Sequence, residues 1–311
     1  MNTAVVVDGL LKIYGDVRAV DDISFDVHEG EIFGIVGPNG AGKTTTIECL
    51  EGLRKPDAGS MLVLGLDPQR DRRALRGLCG VQLQHSTLPE RLKVWEALDL
   101  YSSFYEHPAN WERLLAHLGL EDRRGAPFAA LSGGQRQRLF VALALLPDPR
   151  LVFLDELTTG LDPQARRDTW DLIRGVRDEG KTIMLTTHFM EEAERLCDRV
   201  AILDRGHLVA LDTPEALIAS LGRGARVVFA VDGPAPPELR DALERIGQVQ
   251  IDGDRVSVQG QASDASQLLV DVVSLLARSV VQYRDLRTAQ PTLEDVFLKL
   301  TGSRSERGDE P

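Results

Sequence analysis

Cysteine is scarce in this chain: its 311 residues hold only three, Cys49, Cys79 and Cys197. They are odd in number, widely scattered and form no Cys-x-x-Cys pair, which excludes a disulfide framework. They read as reduced thiols of a cytosolic protein, packed as small apolar residues. Long apolar runs are missing too. The longest, Leu139 to Leu146, falls far below the roughly 18 residues that span a bilayer. The start, Met1 to Leu10, is acidic and apolar and has no basic n-region, so neither a membrane span nor a secretory signal is expected. Basic residues are outnumbered, with 36 Lys and Arg against 48 Asp and Glu, and the net charge of −12 repels polyanions. No nucleic-acid partner is expected. His28, His85, His107, His117 and His207 have no ligand spacing and receive no metal role.

What remains is ordinary globular usage, 43% hydrophobic and 27% charged, which fits neither a disordered nor a fibrous chain. At about 150 residues per domain the length suggests two domains. From Ala4 to about Leu221 the pattern alternates strands and helices. Val5 to Val7, Ile32 to Val36, Leu151 to Leu154 and Thr182 to Thr186 are short apolar or β-branched runs suited to strands buried on both faces. Helices are predicted at Lys43 to Leu53, Gly134 to Leu146, Pro163 to Glu179 and Met190 to Cys197. The fold class is therefore α/β. Between His85 and Ala130 the strand signal disappears and Trp95, Leu98, Tyr101, Leu114 and Leu118 recur at helical spacing, a helical insert.

A Gly-rich stretch at Ser220 to Ala225 reads as a linker. Beyond it the order is strand Arg226 to Val231, helix Pro237 to Ile246, strand Val249 to Ile251, turn Asp252-Gly253, strand Arg255 to Val258, helix Asp264 to Ala277 and strand Val280 to Asp285. That βαββαβ order is ferredoxin-like. A last helix starts at Thr292 as N-cap, and Gly302 to Pro311 reads as a frayed polar tail.

Gly37-Pro38-Asn39-Gly40-Ala41-Gly42-Lys43-Thr44 fits G-x-x-x-x-G-K-[ST] between a strand and a helix. Glycines let backbone N–H groups converge on phosphate, Lys43 reaches the β and γ phosphates, and Thr44, next to Thr45, can hold Mg²⁺. Leu151 to Glu156 is an apolar strand ending in two carboxylates, costly unless a cation or substrate uses them. Asp155 then faces Mg²⁺, and Glu156 orients or deprotonates the attacking water. Taken alone, the pair can also be a cap for the next turn. Leu131-Ser132-Gly133-Gly134-Gln135 opens a helix with Ser132 as N-cap, an ordinary glycine turn when taken alone. As a second anion-binding helix N-terminus it needs a second nucleotide or a second copy of the chain.

With these three motifs in this order, residues 1 to about 221 resemble the ATP-binding cassette (ABC) ATPases, Leu131 to Gln135 matching their signature. The resemblance implies a P-loop NTPase core with a helical insert (about 85–146); the pattern beyond it reads as a small α+β, ferredoxin-like domain (222–303) and a polar tail (304–311). It implies ATP and Mg²⁺ as cofactors and a head-to-tail homodimer in which Ser132, Gly133, Gly134 and Gln135 of one subunit close over the γ-phosphate held by the other. Tyr14 matches the residue that stacks on adenine, and Gln84 the glutamine that touches Mg²⁺ and water. Asp162, in Thr159-Gly160-Leu161-Asp162, matches a partner contact, and His188, at the end of a strand, the switch histidine on the γ-phosphate. Leu157 departs from the proline common after the catalytic glutamate, which loosens that turn. Pro291 to Gly302 resembles the end of the C-terminal extension in daunorubicin-resistance-type drug and lipid exporters. That resemblance implies a cytoplasmic ATPase held at the inner face of the cell membrane by a separate polytopic permease. Drug, lipid or glycan stays open as the substrate. The other readings are a soluble ABC ATPase acting on ribosomes or nucleic acid, and a nucleotide sensor without turnover.

Overall fold

Stretches in which every side chain is buried form the centre of the fold. Ile32–Val36 and Leu151–Asp155 bury all five positions and Thr182–Thr187 all six, as strands covered on both faces must. The computed structural model describes residues 2–83, 86–221, 226–233, 236–260, 265–279 and 281–305. They divide between two units, Met1–Pro214 and Glu215–Pro311. The helix Pro214–Ser220 falls at that junction and precedes the Gly-rich stretch.

The strands of the first unit are β1 (Thr3–Tyr14), β2 (Val17–His28), β3 (Ile32–Val36), β4 (Ala58–Val63), β5 (Cys79–Gln82), β6 (Leu151–Asp155), β7 (Thr182–Thr187), β8 (Arg199–Asp204) and β9 (His207–Asp212). They form an antiparallel sheet of order β2-β1-β4 and a six-stranded sheet of order β5-β6-β7-β3-β8-β9. In the larger sheet β5, β6, β7, β3 and β8 run parallel and only the edge strand β9 is antiparallel. The ends of β3, β6 and β7 therefore open on the same side, the place where ligands bind in parallel sheets. Helices Lys43–Leu50, Pro163–Asp178 and Met190–Leu196 match the predicted ones to within three residues. The smaller sheet was not legible as such. Of its strands only Val5 to Val7 is predicted, because β-bulges break the alternation of β1 and Asp22 takes a positive φ within β2.

The insert holds helices Val94–Ser102, Trp111–His117 and Gly133–Leu145, with Leu98, Leu118, Leu120 and Leu139 fully buried. In the second unit β10 (Arg226–Val231), β11 (Gly247–Asp252), β12 (Arg255–Gly260) and β13 (Tyr283–Ala289) lie in the order β11-β12-β10-β13, antiparallel throughout. This is the ferredoxin-like order. Val227, Phe229, Val256, Val258, Leu239, Leu268 and Val272 form its core. The last helix, Leu293–Ser305, starts as predicted: the Asp295 carboxylate accepts from Thr292 N at 2.9 Å, and Asp295 N donates to Thr292 Oγ1 at 3.4 Å. It runs past Gly302, which corrects the frayed tail expected from there on. One internal glycine costs a helix only about 1 kcal/mol. Residues 306–311 lie outside the described part.

Glu51 ends the helix Lys43–Leu50, and among the described residues neither of its buried carboxyl oxygens has a hydrogen-bond partner. Burial, reinforced by the negative charges of Asp155 and Glu48, pushes its pKa from 4.5 up to about 8. The native state then holds a proton that the unfolded chain releases, so stability falls as pH rises from about 4.5 to about 8. Glu51→Gln removes this titration. Its melting temperature is expected to exceed that of the parent at pH 8.5, with the difference shrinking toward pH 5. A difference independent of pH rules the titration out.

Candidate functional site

β3 feeds directly into the Gly37–Thr44 loop, and two of its glycines are required by shape. A Cβ on Gly37 would lie 2.2 Å from Leu203 O, and one on Gly42, at φ +99°, would lie 2.3 Å from Ala19 O. Gly42 caps the helix Lys43–Leu50 without a side chain, and the first turn carries no acidic residue. The N-terminal N–H groups and the helix dipole are thus available to an anion. Ala41 is buried behind the loop. Gly37 O and Pro38 O accept from Lys43 Nζ at 2.9 and 3.0 Å. Burial pushes the Lys43 ammonium pKa down, opposed by the charges of Glu156 and Asp155.

In front of the loop lies a cleft of about 610 Å³ lined by Tyr14, Asn39, Gly40, Gly42, Lys43, Thr44, Thr45 and Glu156, joined by Arg18 and Arg205. Its size suits a nucleotide-sized ligand. Tyr14 is 42% exposed, which leaves ring surface for stacking, although Lys12 Nζ lies over one face at 5.2 Å from the ring centre. Arg18 and Arg205 were missed by sequence reasoning because no motif marks them; Arg18 is the second residue of β2 and Arg205 sits in the turn between β8 and β9.

β6 delivers the two carboxylates. Asp155 is buried; it accepts from Thr44 Oγ1 at 3.4 Å and at closer range from Thr186 Oγ1. Burial pushes its pKa up, against the two hydroxyl hydrogen bonds. Glu156 lies at φ +49°, and its N–H donates to Thr186 O at 3.2 Å and Thr186 Oγ1 at 3.1 Å. Its Oε1 is 3.7 Å from Lys43 Nζ and 3.4 Å from His188 Nδ1, while Oε2 accepts from Thr159 Oγ1 at 3.4 Å. One carboxylate at the mouth of the cleft thus meets the Lys43 cation and the His188 imidazole together. The arrangement can bind phosphate at Lys43 and accept a proton beside it.

Not every expected residue gathers here. Ser132 and Gln135 form a capping box at an exposed helix start, with Gln135 N to Ser132 Oγ at 3.3 Å and Ser132 N to Gln135 Oε1 at 3.0 Å. None of Ser132, Gly133, Gly134 and Gln135 lines the Lys43 cleft; Gly133 lines a separate hollow of about 230 Å³ with Thr159, Gly160 and Leu161. Asp162 caps the helix Pro163–Asp178, accepting from Gln164 N and Ala165 N at 3.0 and 2.9 Å. Gln84 lies outside the described residues.

The family model described as ABC transporter matches residues 20–159. The daunorubicin resistance ATP-binding protein DrrA3 of Streptomyces coeruleorubidus is 37% identical over 306 residues, covering 97% of this chain and 96% of its own. Nod factor export ATP-binding protein I of Paraburkholderia xenovorans (strain LB400) is 41% identical over 307 residues, covering 96% of this chain and 97% of its own. Among solved structures, the dimeric post-hydrolysis state of the ATP-binding cassette MJ0796 bound to ADP and Pi matches with a TM-score of 0.60 at 25% identity, covering 67% of this chain and 98% of that one. Similarity along almost the full length of these relatives, together with the fold, establishes that this chain belongs to the ATP-binding proteins of the ABC transporter family, which are P-loop ATPases.

Proposed function

We propose that this chain is the ATP-hydrolysing subunit of an exporter, acting as a head-to-tail dimer beneath a separate polytopic permease at the inner face of the cell membrane, and that it powers efflux of a drug-like or lipid substrate. The observation that carries the reading is the split between the two anion-binding helix starts: Lys43, Glu156 and His188 converge on one cleft, while the capped start Ser132–Gln135 lies exposed outside it. A second copy supplies the missing half. The two curated relatives are named for daunorubicin resistance and for Nod factor export. Such different cargoes support export as a class. No helix among the described residues is long and apolar enough to cross a membrane, so the translocation path falls to the permease.

In this reading Tyr14 stacks on adenine and Asn39 to Thr45 wrap the phosphates, with Lys43 on the β and γ groups. Thr44 Oγ1 and Asp155 Oδ1 are hard oxygens 3.4 Å apart, and among the described residues there is no cluster of three or more metal-binding side chains. That donor set fits Mg²⁺, which takes few protein ligands and fills its shell with phosphate and water. Gln84 belongs to the same set by its place in the sequence. When bound, Mg²⁺ neutralises charge on the phosphates. Glu156 takes the proton of the attacking water, His188 contacts the γ-phosphate, and Asp162 and the signature residues Ser132 to Gln135 meet the partner copy. ATP and water become ADP and phosphate, and the dimer reopens.

The test is a mild-detergent pull-down from native membranes with the Glu156→Gln chain and ATP. Recovery of a polytopic membrane protein is the expected result. Ribosomes or DNA in its place overturn the export reading and leave the ATPase chemistry standing.

A further inference from the structure

We propose that Glu192 is a positioning residue for hydrolysis, its carboxylate holding the turn after Glu156 through Thr158 so that the Glu156 side chain is aimed into the cleft. Glu192 is only 3% exposed, although it sits on the helix Met190–Leu196 beside the exposed Glu191. Its Oε1 accepts from Thr158 Oγ1 at 2.8 Å and from Trp170 Nε1 at 2.9 Å. Among the described residues no Lys or Arg pairs with it. A buried carboxylate without a cation is costly and is tolerated when hydrogen bonds satisfy it.

Thr158 stands two residues after Glu156 in a turn that folds back on that residue. Thr159 N donates to Glu156 O at 3.2 Å and Thr159 Oγ1 to Glu156 Oε2 at 3.4 Å. The left-handed φ of +49° at Glu156 is unfavourable for a residue with a Cβ and persists only where its surroundings fix it. A proline at 157 would lock one backbone angle of this turn; Leu157 does not. The fixing comes from two sides, Thr186 on β7 and Thr158 bonded to Glu192. Glu192 also lies four residues beyond His188 on the segment that carries that imidazole, and Trp170 brings in the helix capped by Asp162. The Arg166 guanidinium, 4.1 Å from the Phe189 ring centre, repeats the tie between the same two segments. One buried oxygen thus joins the turn of the proposed base, the segment of the histidine and the helix behind Asp162.

This inference rests on the reading of Glu156 as the base, and the experiment separates the two. Thr158→Val, Glu192→Gln, Glu192→Leu and Glu156→Gln are made in the full-length chain, and kcat, KM for ATP and melting temperature are measured with Mg²⁺ and ATP. Thr158→Val keeps the shape and removes one hydrogen bond; it is expected to lower kcat about 10-fold with KM nearly unchanged, since small misplacements of a reacting group are costly. Glu192→Leu falls at least as far. Glu192→Gln retains a carbonyl oxygen as acceptor and restores most of the rate. If Thr158→Val lowers the melting temperature but keeps the parental kcat, the contact only stabilises the fold and the proposal fails. That outcome stands even where Glu192→Leu does not fold. Normal turnover in Glu156→Gln sinks the base assignment instead, whatever the other variants do.

Discussion

A Glu156→Gln chain is expected to bind ATP as the parent does and to hydrolyse it about 100-fold more slowly or worse, the usual weight of a general base. The substitution keeps the size of the side chain and its place at the cleft mouth, 3.4 Å from His188 Nδ1. The left-handed backbone at residue 156 is held by hydrogen bonds from its N–H to Thr186 O and Oγ1 and by the turn that Thr158 ties to Glu192, none of which involves the substituted side chain. What changes is the capacity to take a proton. Loss of the negative charge also leaves Lys43, 3.7 Å away, less engaged by protein and freer for phosphate, so affinity holds or rises. Steady-state phosphate release and equilibrium titration with a fluorescent ATP analogue separate the two effects. Parental turnover would falsify the assignment of the base. Lost binding would instead show that the carboxylate is needed to shape the cleft.

The parts of this site that could be read in the sequence are those where backbone geometry dictates residue type. Gly37 and Gly42 leave no room for a Cβ, Lys43 follows from the loop, and the strand Leu151–Asp155 tolerates charge only at its exit. Three of the five parallel strands, β3, β6 and β7, were legible because burial on both faces makes them short apolar or β-branched runs, whereas β5 and β8 were not predicted. β2 was not, because its alternation Val-Arg-Ala-Val-Asp-Asp-Ile-Ser-Phe-Asp-Val-His is that of a half-buried strand interrupted at Asp22. Glu192 was illegible for another reason. An acidic residue in Met190–Leu196 reads as solvated helix surface. Only the burial it shares with Ala193 and Leu196 places it on the inner face, and its partners Thr158 and Trp170 lie 34 and 22 residues away. Side-chain bonds across such separations leave no periodic trace.

Lys43→Ala is expected to cost at least about 100-fold in ATP affinity, and the structure explains why the loss exceeds that of a surface charge. The Lys43 side chain is 4% exposed and its ammonium is held on Gly37 O and Pro38 O, so its place is set before any ligand arrives. A unit charge about 4 Å from phosphate at an effective dielectric near 20 contributes about 4 kcal/mol, and each 1.4 kcal/mol is tenfold in affinity. Desolvation of the lysine offsets part of this, as the downward push of burial on its pKa reflects. Without it, Asp155 and Glu156 face the incoming phosphates with no lysine between, and attraction turns into repulsion. Lys43→Arg is a useful companion, because it keeps the charge but does not fit the two carbonyls that position the ammonium. It should fall between parent and Lys43→Ala in a direct binding titration. If Lys43→Ala keeps the parental affinity with an unchanged melting temperature, the loop backbone and the helix start hold the phosphates alone, and Lys43 is no phosphate ligand.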